Sequence, residues 1–493
     1  MGHERLDYER GRPWQSAWLR QPNRQQRACV RVSFSQLRAV VAPGASRQTA
    51  AASATSLSSL AASFGGAVCQ RMNSVHDSPH GDWPTSPSLS EAGPIRWDRG
   101  WVTGLGLVVT GVRLSVCIPY KARLDNLKIA LEALARQTMS AADFEVVIGA
   151  MEYSTELIAA CAAFCDRLNL VTVCSSREFH IPQARNLAMR SATGEVIVQI
   201  DADTMLAPDA LQRLYELCFA FGQRVCAVGQ VVGYDNNSGG DIDSVELRPY
   251  EEHLTALKEM AASPDWPADP RFRVDHNIPW AFAWTGLIAL PAAAVASDQL
   301  YFDESFRGWG NDDLEWGYRV CASGIPIVLR SDIYGLHLPH PRKVTANRLT
   351  GKANADRFLR KWPRRDVELA RLAGDTRANG LWPGYLDELA RASDAVAFGV
   401  AVGASRGATT LLIGVPLDGG DNPVDREHLS HFDAPADVTI LPLTGIALPY
   451  EPGEVDACRI GDRIQRLPEP YRDAVLAEAR RVSNHVEVDH DRS

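Results

Sequence analysis

Residues 195–206 read EVIVQIDADTML. The apolar, β-branched run Val196–Ile200 has the length and composition of a strand buried on both faces. It ends on Asp201-Ala202-Asp203. If strand alternation continues through those residues, both carboxylates fall on one side, with the small Ala202 leaving room for a ligand between them. Upstream segments supply the rest of a fold. RLSVCIPY (113–120) is a β-rich run ending at a proline, and LDNLKIALEALARQT (124–138) carries apolar residues at helical spacing. FEVVIGAM (144–151), STELIAACAAFCDRL (154–168), LVTVCSS (170–176) and IPQARNLAMRSAT (181–193) continue as strand, helix, strand and helix. This alternation predicts an α/β fold, an open, mostly parallel sheet with helices on both faces. Ligands of such sheets bind beyond the carboxyl ends of the strands, where Asp201 and Asp203 lie.

Beyond Ile200 the pattern loosens. PDALQRLYELCFAFG (208–222) reads as a helix and RVCAVGQVVGY (224–234) as a strand, followed by a loop-rich stretch to about residue 280. RFLRKWPRRDVELARLA (357–373) is expected to form one basic amphipathic helix closing the domain. Residues 1–110 differ from the remainder: no acid occurs between Arg10 and His76, and no lysine before Lys121. ASRQTAAASATSLSSLAASF (45–64) is of low complexity. A transit peptide, a disordered tail and an over-extended start all have this bias, and a disordered extension is the expectation. The domain plan is therefore an extension over 1–110, a main domain over 111–380 and a small α/β module over 385–493.

The 493 residues are 45% hydrophobic and 23% charged, the composition of a globular protein, with a formal charge of -9. That charge disfavours nucleic acid as a partner, because phosphate contacts need a basic surface. Ten cysteines occur without a CxxC pair, which suits a reducing compartment. No segment makes a membrane span, since WVTGLGLVVTGVRLSVCIPY (101–120) holds Arg113 and reads in its second half as a strand. MGHERLDYER has no apolar signal core. The expected location is the cytoplasm, with peripheral attachment at the inner membrane face as the alternative.

Hard carboxylate oxygens at Asp201 and Asp203 suit Mg²⁺ or Mn²⁺, which also hold substrate phosphates; the competing reading is a turn or cap before the next helix. Arg185 and Asn186 open the helix leading into that strand, where a guanidinium can pair with a diphosphate, or can be plain helix-surface charge. GWGNDDLEWGYR (308–319) sets Asp312, Asp313 and Glu315 between Trp309 and Trp316, with Gly308, Gly310 and Gly317 permitting tight turns. Adjacent carboxylates raise one another's pKa, which suits a base. The run also reads as a helix start, with Asn311 as N-cap and acids in the first turn.

SVCIPYKARLDNLKIALEALARQT with ARNLAMRSATGEVIVQIDADTML resembles the nucleotide-binding half of family 2 glycosyltransferases. FDESFRGWGNDDLEWGYRVCASG resembles the acceptor motif of the galactosyltransferase and chondroitin-polymerase type. The resemblance covers about 113–370 and implies a nucleotide-diphospho-sugar transferase (GT-A type) fold, a divalent metal and usually inversion. It implies Pro119 and Tyr120 at the nucleoside, Asp203 at the metal, Asp201 toward ribose or metal, and Arg185 at the nucleotide. It further implies Asp313 as catalytic base, Asp312 holding the acceptor hydroxyl, Trp309 with Gly310 on the acceptor side, and His337 as metal ligand, with His340 its rival. Where the family has an Asp-Asp-Gly-Ser run reading uracil, this chain has GAMEYS, leaving Glu152 in that role. Trp280 and Trp284 could stack on sugar faces or pack in the core.

The expected function is transfer of a hexose or N-acetylhexosamine from a nucleotide-diphosphate sugar, UDP-sugar favoured, to a hydroxyl of a glycan, lipid-linked saccharide or small molecule. The alternative is a catalytically silent sugar-nucleotide-binding or scaffold protein. VAFGVAVGASRGATTLL (396–412) reads as strand, glycine loop and helix, and 436–482 faintly resembles a methyltransferase that uses a nucleoside-methionine donor. The C-terminal module is expected to mediate protein contacts; a second, methyltransferase activity is a further idea.

Overall fold

The computed structural model describes residues 111–175, 177–233 and 240–489, together with one strand at 30–33. The rest of the 1–110 extension, and the disorder expected of it, lie outside the described residues. The strands are β1 (Val30–Ser33), β2 (Leu114–Tyr120), β3 (Phe144–Ala150), β4 (Leu170–Cys174), β5 (Val196–Ile200), β6 (Thr204–Leu206), β7 (Cys226–Val232), β8 (Leu287–Pro291) and β9 (Ile327–His337). They form one nine-stranded sheet in the order β1-β4-β3-β2-β5-β8-β7-β9-β6. The block β4-β3-β2-β5 is parallel. β8 runs antiparallel to both β5 and β7, so from there the sheet is mixed. β1 pairs antiparallel with β4 at the edge, which gives part of the N-terminal extension a strand that its composition did not announce.

The helices are α1 (Leu124–Ala135), α2 (Thr155–Ala162), α3 (Ile181–Ser191), α4 (Ala210–Cys218), α5 (Tyr250–Ala261), α6 (Ala292–Ser297), α7 (Asp312–Ala322), α8 (Val344–Lys361), α9 (Arg365–Ala373), α10 (Asp375–Ser393) and α11 (Glu469–Val482). The single basic helix expected at 357–373 is two. Pro363 disfavours the helical conformation for Trp362, and α8 ends at Lys361 before α9 begins at Arg365. The supposed loop region after 234 contains α5. Among the described residues no helix is long and apolar enough to cross a membrane.

The C-terminal segment forms a second sheet from β10 (Ala397–Ser405), β11 (Ala408–Leu417), β12 (Thr439–Leu441), β13 (Ala457–Ile460) and β14 (Val486–Val488), in the order β12-β10-β11-β13-β14. The strand–glycine–helix expected at 396–412 is instead an antiparallel hairpin. Arg406 and Gly407 take φ of 52° and 77°, the left-handed pair that a two-residue hairpin turn requires. The β-branched ATTLLIGV then continues as strand rather than helix. With that turn, the strand–glycine–helix expected at 396–412 gives way to two paired strands. Nor does this sheet stand apart. One apolar core runs from Val147 and Ile288 through Trp280, Phe358 and Val367 to Leu389, Phe398, Ile413 and Val475. A second core fills the other face of the large sheet, around Leu127, Ile148, Val198 and Leu214.

Candidate active site

Strand β5 stops at Ile200, and Asp201–Asp203 form a turn closed by the Thr204 N–H donating to the Asp201 carbonyl at 3.0 Å. The turn ends the alternation on which a shared side was expected, and the two carboxylates differ in burial. Asp201 lines a cavity, while Asp203 is fully buried. The chain then re-enters the sheet as β6, whose Thr204 pairs with His337 at the end of β9. This register brings His337 Nε2 to 3.6 Å from Asp203 Oδ1; His340 Nε2 lies 3.4 Å from Oδ2. The ligand atoms of Asp203, His337 and His340 lie within 4.8 Å of one another. Both histidines stand in that cluster; Asp201 is outside it and lines the same cavity as His337. Burial holds His340 below the usual imidazole range, in the neutral form that ligates metals. Asp203 Oδ1 is buried and accepts no hydrogen bond, as a metal-facing oxygen would be. These residues fit a divalent cation. Arg123, at the start of α1, also contacts Asp203 Oδ2.

The cavity beside this cluster measures about 1060 Å³ and is lined by Arg185, Asp201, Trp284, Trp309, Asp312, Asp313 and His337, among others. Arg185 rises from the first turns of α3, buried, over the Phe302 ring. It donates to Asp312 Oδ2 at 2.5 Å and to Asp201 Oδ1 at 3.3 Å, joining the two acidic motifs of the sequence. Asp312 and Asp313 open α7. Gly308, Gly310 and Asn311 all have positive φ, 72°, 94° and 63°, which folds the chain back so that the helix starts at the cavity wall. Asn311 occupies the N-cap position, but its amide donates to the Gly351 carbonyl at 3.0 Å instead of capping. Burial raises the Asp312 pKa against the pull of Arg185. Burial, then the charge of Asp312, pushes Asp313 up to about 7. Desolvation thus outweighs the helix dipole, which alone would favour the charged form.

A family model described as glycosyl transferase family 2 matches residues 115–266, the stretch that holds β2 through β7 and both Asp201 and Asp203. The chain carries a family 2 glycosyl transferase domain. Validoxylamine A glucosyltransferase of Streptomyces hygroscopicus subsp. jinggangensis (strain 5008) is 32% identical over 268 residues, covering 51% of this chain and 61% of that protein. Chondroitin synthase of Escherichia coli is 26% identical over 269 residues, covering 49% of this chain and 38% of that protein. The chain thus spans about six-tenths of the length of the more similar relative. Among solved structures, a Pyrobaculum calidifontis mannosyltransferase in complex with GDP-Man and Mn²⁺ matches at 16% identity and a TM-score of 0.38, over 57% of this chain and 76% of that one.

Several residues of the glycosyl transferase motifs do other work. Trp316 is buried, stacked on Phe302, and its indole N–H donates to the Leu300 carbonyl at 2.8 Å, so it is core and not a cavity wall. Glu315 is buried against Arg319, Lys361 and the Trp362 indole. Asn186 is spent holding the loop after β8, with its amide donating to Phe302 O and Glu304 and its oxygen accepting from the Phe302 N–H. It does not reach the cavity. Trp280 and Trp284 both line it, each with its indole N–H on a carboxylate: Asp366 at 2.7 Å and Asp375 at 3.3 Å. Arg271 lies over the Trp284 ring at 3.7 Å. Trp309 is half exposed at the rim, beside Gly310.

Pro119, Tyr120 and Glu152 gather at the ends of β2 and β3, outside the described lining of the cavity. Glu152 accepts from the Ala122 N–H at 2.8 Å, and burial with this carboxylate nearby pushes the Tyr120 hydroxyl up to about 12. Glu152 therefore shapes the loop that carries Arg123. Arg123, Arg271, Asp366 and Asp375 were not found by reading motifs. Arg123 had a detectable signal, a basic residue just past the strand that ends at Tyr120. Asp366 and Asp375 lie more than fifty residues beyond the last motif acid and had none.

Proposed function

We propose that the protein transfers a hexosyl or N-acetylhexosaminyl group from a nucleotide-diphosphate sugar to an acceptor hydroxyl, with inversion. The carrying observation is Asp313: a carboxylate raised to about 7 on the wall of the cavity that Asp201 also lines. A base of that pKa is half-ionised near neutrality and can accept the acceptor's proton as the hydroxyl attacks. Asp312, held by Arg185, orients that hydroxyl. No second carboxylate is needed as nucleophile, so direct displacement inverts the anomeric centre. Asp203, His337 and His340 would hold a divalent cation, which supplies charge neutralisation for the departing diphosphate. Two imidazoles favour Mn²⁺ over Mg²⁺, whose sites are dominated by oxygen. Arg185 adds positive charge on the nucleotide side, and Trp284 and Trp309 exclude water from the reaction.

The donor is proposed to be a UDP-sugar, with Tyr120 and Pro119 against the nucleoside. The relative that acts on validoxylamine A as a glucosyltransferase puts a hexose and a small hydroxylated acceptor first in a screen. The deciding experiment incubates the protein with Mn²⁺ and a panel of UDP- and GDP-sugars, with validoxylamine A and oligosaccharides as acceptors. Release of nucleoside diphosphate dependent on both acceptor and Asp313 supports the reading. Binding of donors with no transfer to any hydroxyl, in wild type and Asp313→Asn alike, would leave a silent binding protein instead.

A further inference from the structure

Helix α9 lies between the cavity and the loop that joins β12 to β13 of the C-terminal sheet. On α9, Val367, Ala370 and Arg371 recur at helical spacing and line the cavity. The same helix carries Asp366 at its start, which holds the Trp280 indole N–H at 2.7 Å. Two residues beyond its end, past Gly374 at φ 86°, Asp375 opens α10 and holds the Trp284 indole N–H at 3.3 Å. The starts of α9 and α10, joined through Gly374, therefore set both cavity tryptophans.

What fixes α9 comes from the other sheet. Glu368, on a different face from the cavity-lining residues, is completely buried. Its carboxylate accepts the backbone N–H groups of Thr444 at 2.8 Å, Gly445 at 2.7 Å and Ala447 at 3.3 Å. These belong to the loop between β12 and β13. The loop is held in turn from its far side: Tyr385 donates its hydroxyl to Thr444 Oγ1 at 2.6 Å, and Arg481 donates to the Leu448 and Tyr450 carbonyls. Gly445, at φ 97°, lets the loop press onto Ile413, where a Cβ would sit 2.6 Å from the Ile413 side chain. A buried carboxyl group with three backbone donors is a stiff joint, because displacing it strands its oxygens and three N–H groups away from water.

We propose that the five-stranded sheet positions one wall of the cavity, with Glu368 as the positioning residue that clamps α9 and so sets Trp280 and Trp284 for acceptor recognition. The proposal rests on the reading of the cavity as a glycosyl-transfer site. It gives residues 394–489 a role in acceptor recognition without any contact between that sheet and the substrate.

The test uses the full chain labelled with 5-fluorotryptophan, with the Trp280, Trp284 and Trp309 resonances assigned by single Trp→Phe changes. Glu368→Gln keeps the side-chain volume but presents an amide donor to three donors. The Trp280 and Trp284 resonances are expected to shift or broaden, Trp309, whose backbone is held by Thr350 on α8, to stay, and UDP affinity with Mn²⁺ to remain within about twofold. With a working acceptor, its KM is expected to rise roughly tenfold while donor KM holds, in the range of coupling through a packed element. Unmoved Trp280 and Trp284 resonances in the folded variant overturn the proposal, as does an equal disturbance of Trp309 and of UDP binding. Should Glu368→Gln not fold, Tyr385→Phe loosens the same loop more gently and is expected to move the same two resonances; if it moves neither, the proposal falls. Failure of the wild-type protein to bind UDP with Mn²⁺ counts against the transferase reading, while the tryptophan resonances still decide the clamp.

Discussion

Asp313 concentrates the chemistry of this protein into one proton. Its pKa of about 7 means transfer should rise with pH through neutrality and level off above it. The same shift works against stability. The folded state binds that proton up to about pH 7, whereas the unfolded chain releases it near 4, so stability falls as pH rises between those values and the loss is complete above 7. Asp313→Asn should therefore slow transfer by roughly 10²–10⁴ with donor affinity within a few-fold. It should also be more stable than wild type at pH 8, by on the order of 1 kcal/mol, and lose that advantage at pH 4. Melting curves at the two pH values, beside single-turnover rates, check both halves. The metal cluster gives a second expectation. His337→Ala and His340→Ala should each weaken Mn²⁺ binding at least about tenfold by calorimetry, as removal of one of three protein ligands implies; a variant that binds Mn²⁺ normally takes its histidine out of the set. At this scale the sequence was most readable where a motif names the residue. Asp203 and His337 stand in one cluster and Asp313 lines the cavity, but a motif does not say which way a side chain faces. Trp316 and Asn186 sit within motifs and point into the core.

Elements were legible where periodicity was strong, as in the alternation from β2 to β5 and in α7. They were misread where one residue outweighed the pattern: Pro363 split a helix, and the Arg406-Gly407 turn made a hairpin out of an expected strand and helix. Both signals are local and physical, so both were available in principle. Close packing between elements was not. Gly317 in α7 lies against the 3₁₀ turn at Pro279–Phe282, where a Cβ would stand 2.3 Å from the Ala283 Cβ and 3.2 Å from the Trp280 carbonyl. Gly317→Ala should push α7 off that turn and cost about 1–3 kcal/mol by overpacking. Because α7 carries Asp313 and the turn carries Trp280, transfer should fall by more than the loss of folded protein explains. Gly324→Ala is a control: no neighbour crowds its Cβ, though its φ of 70° exacts its own cost in stability. If Gly317→Ala and Gly324→Ala lower activity equally at matched folded fraction, the packing of α7 does not govern the site.

The molecule as a whole departs most from what the sequence suggested. Composition and a glycine-rich pattern pointed to a separable C-terminal module, because nothing in a linear pattern reveals that two sheets share a core. In the structure α9 and α10 bridge them. Leu389 and Tyr385 of α10 are fully buried beside Phe398 and Val400 of the second sheet, in the same cluster as Trp280 and Phe358 beneath the cavity. Removing residues 395–493 would expose that face of α10 to water and take away the three backbone donors of Glu368, a loss of about 0.5–1.5 kcal/mol for each hydrogen bond before any apolar loss. Against a typical domain stability of about 5–15 kcal/mol, those terms together with the lost apolar burial are decisive. A chain ending at Asp394 is therefore expected to be insoluble, or soluble without cooperative unfolding, while the full chain melts in one transition. The two are compared by calorimetry and by UDP binding with Mn²⁺. A truncated protein that melts cooperatively and binds UDP as the full chain does would show that the sheets fold independently, and the shared core would then be a contact surface between two domains.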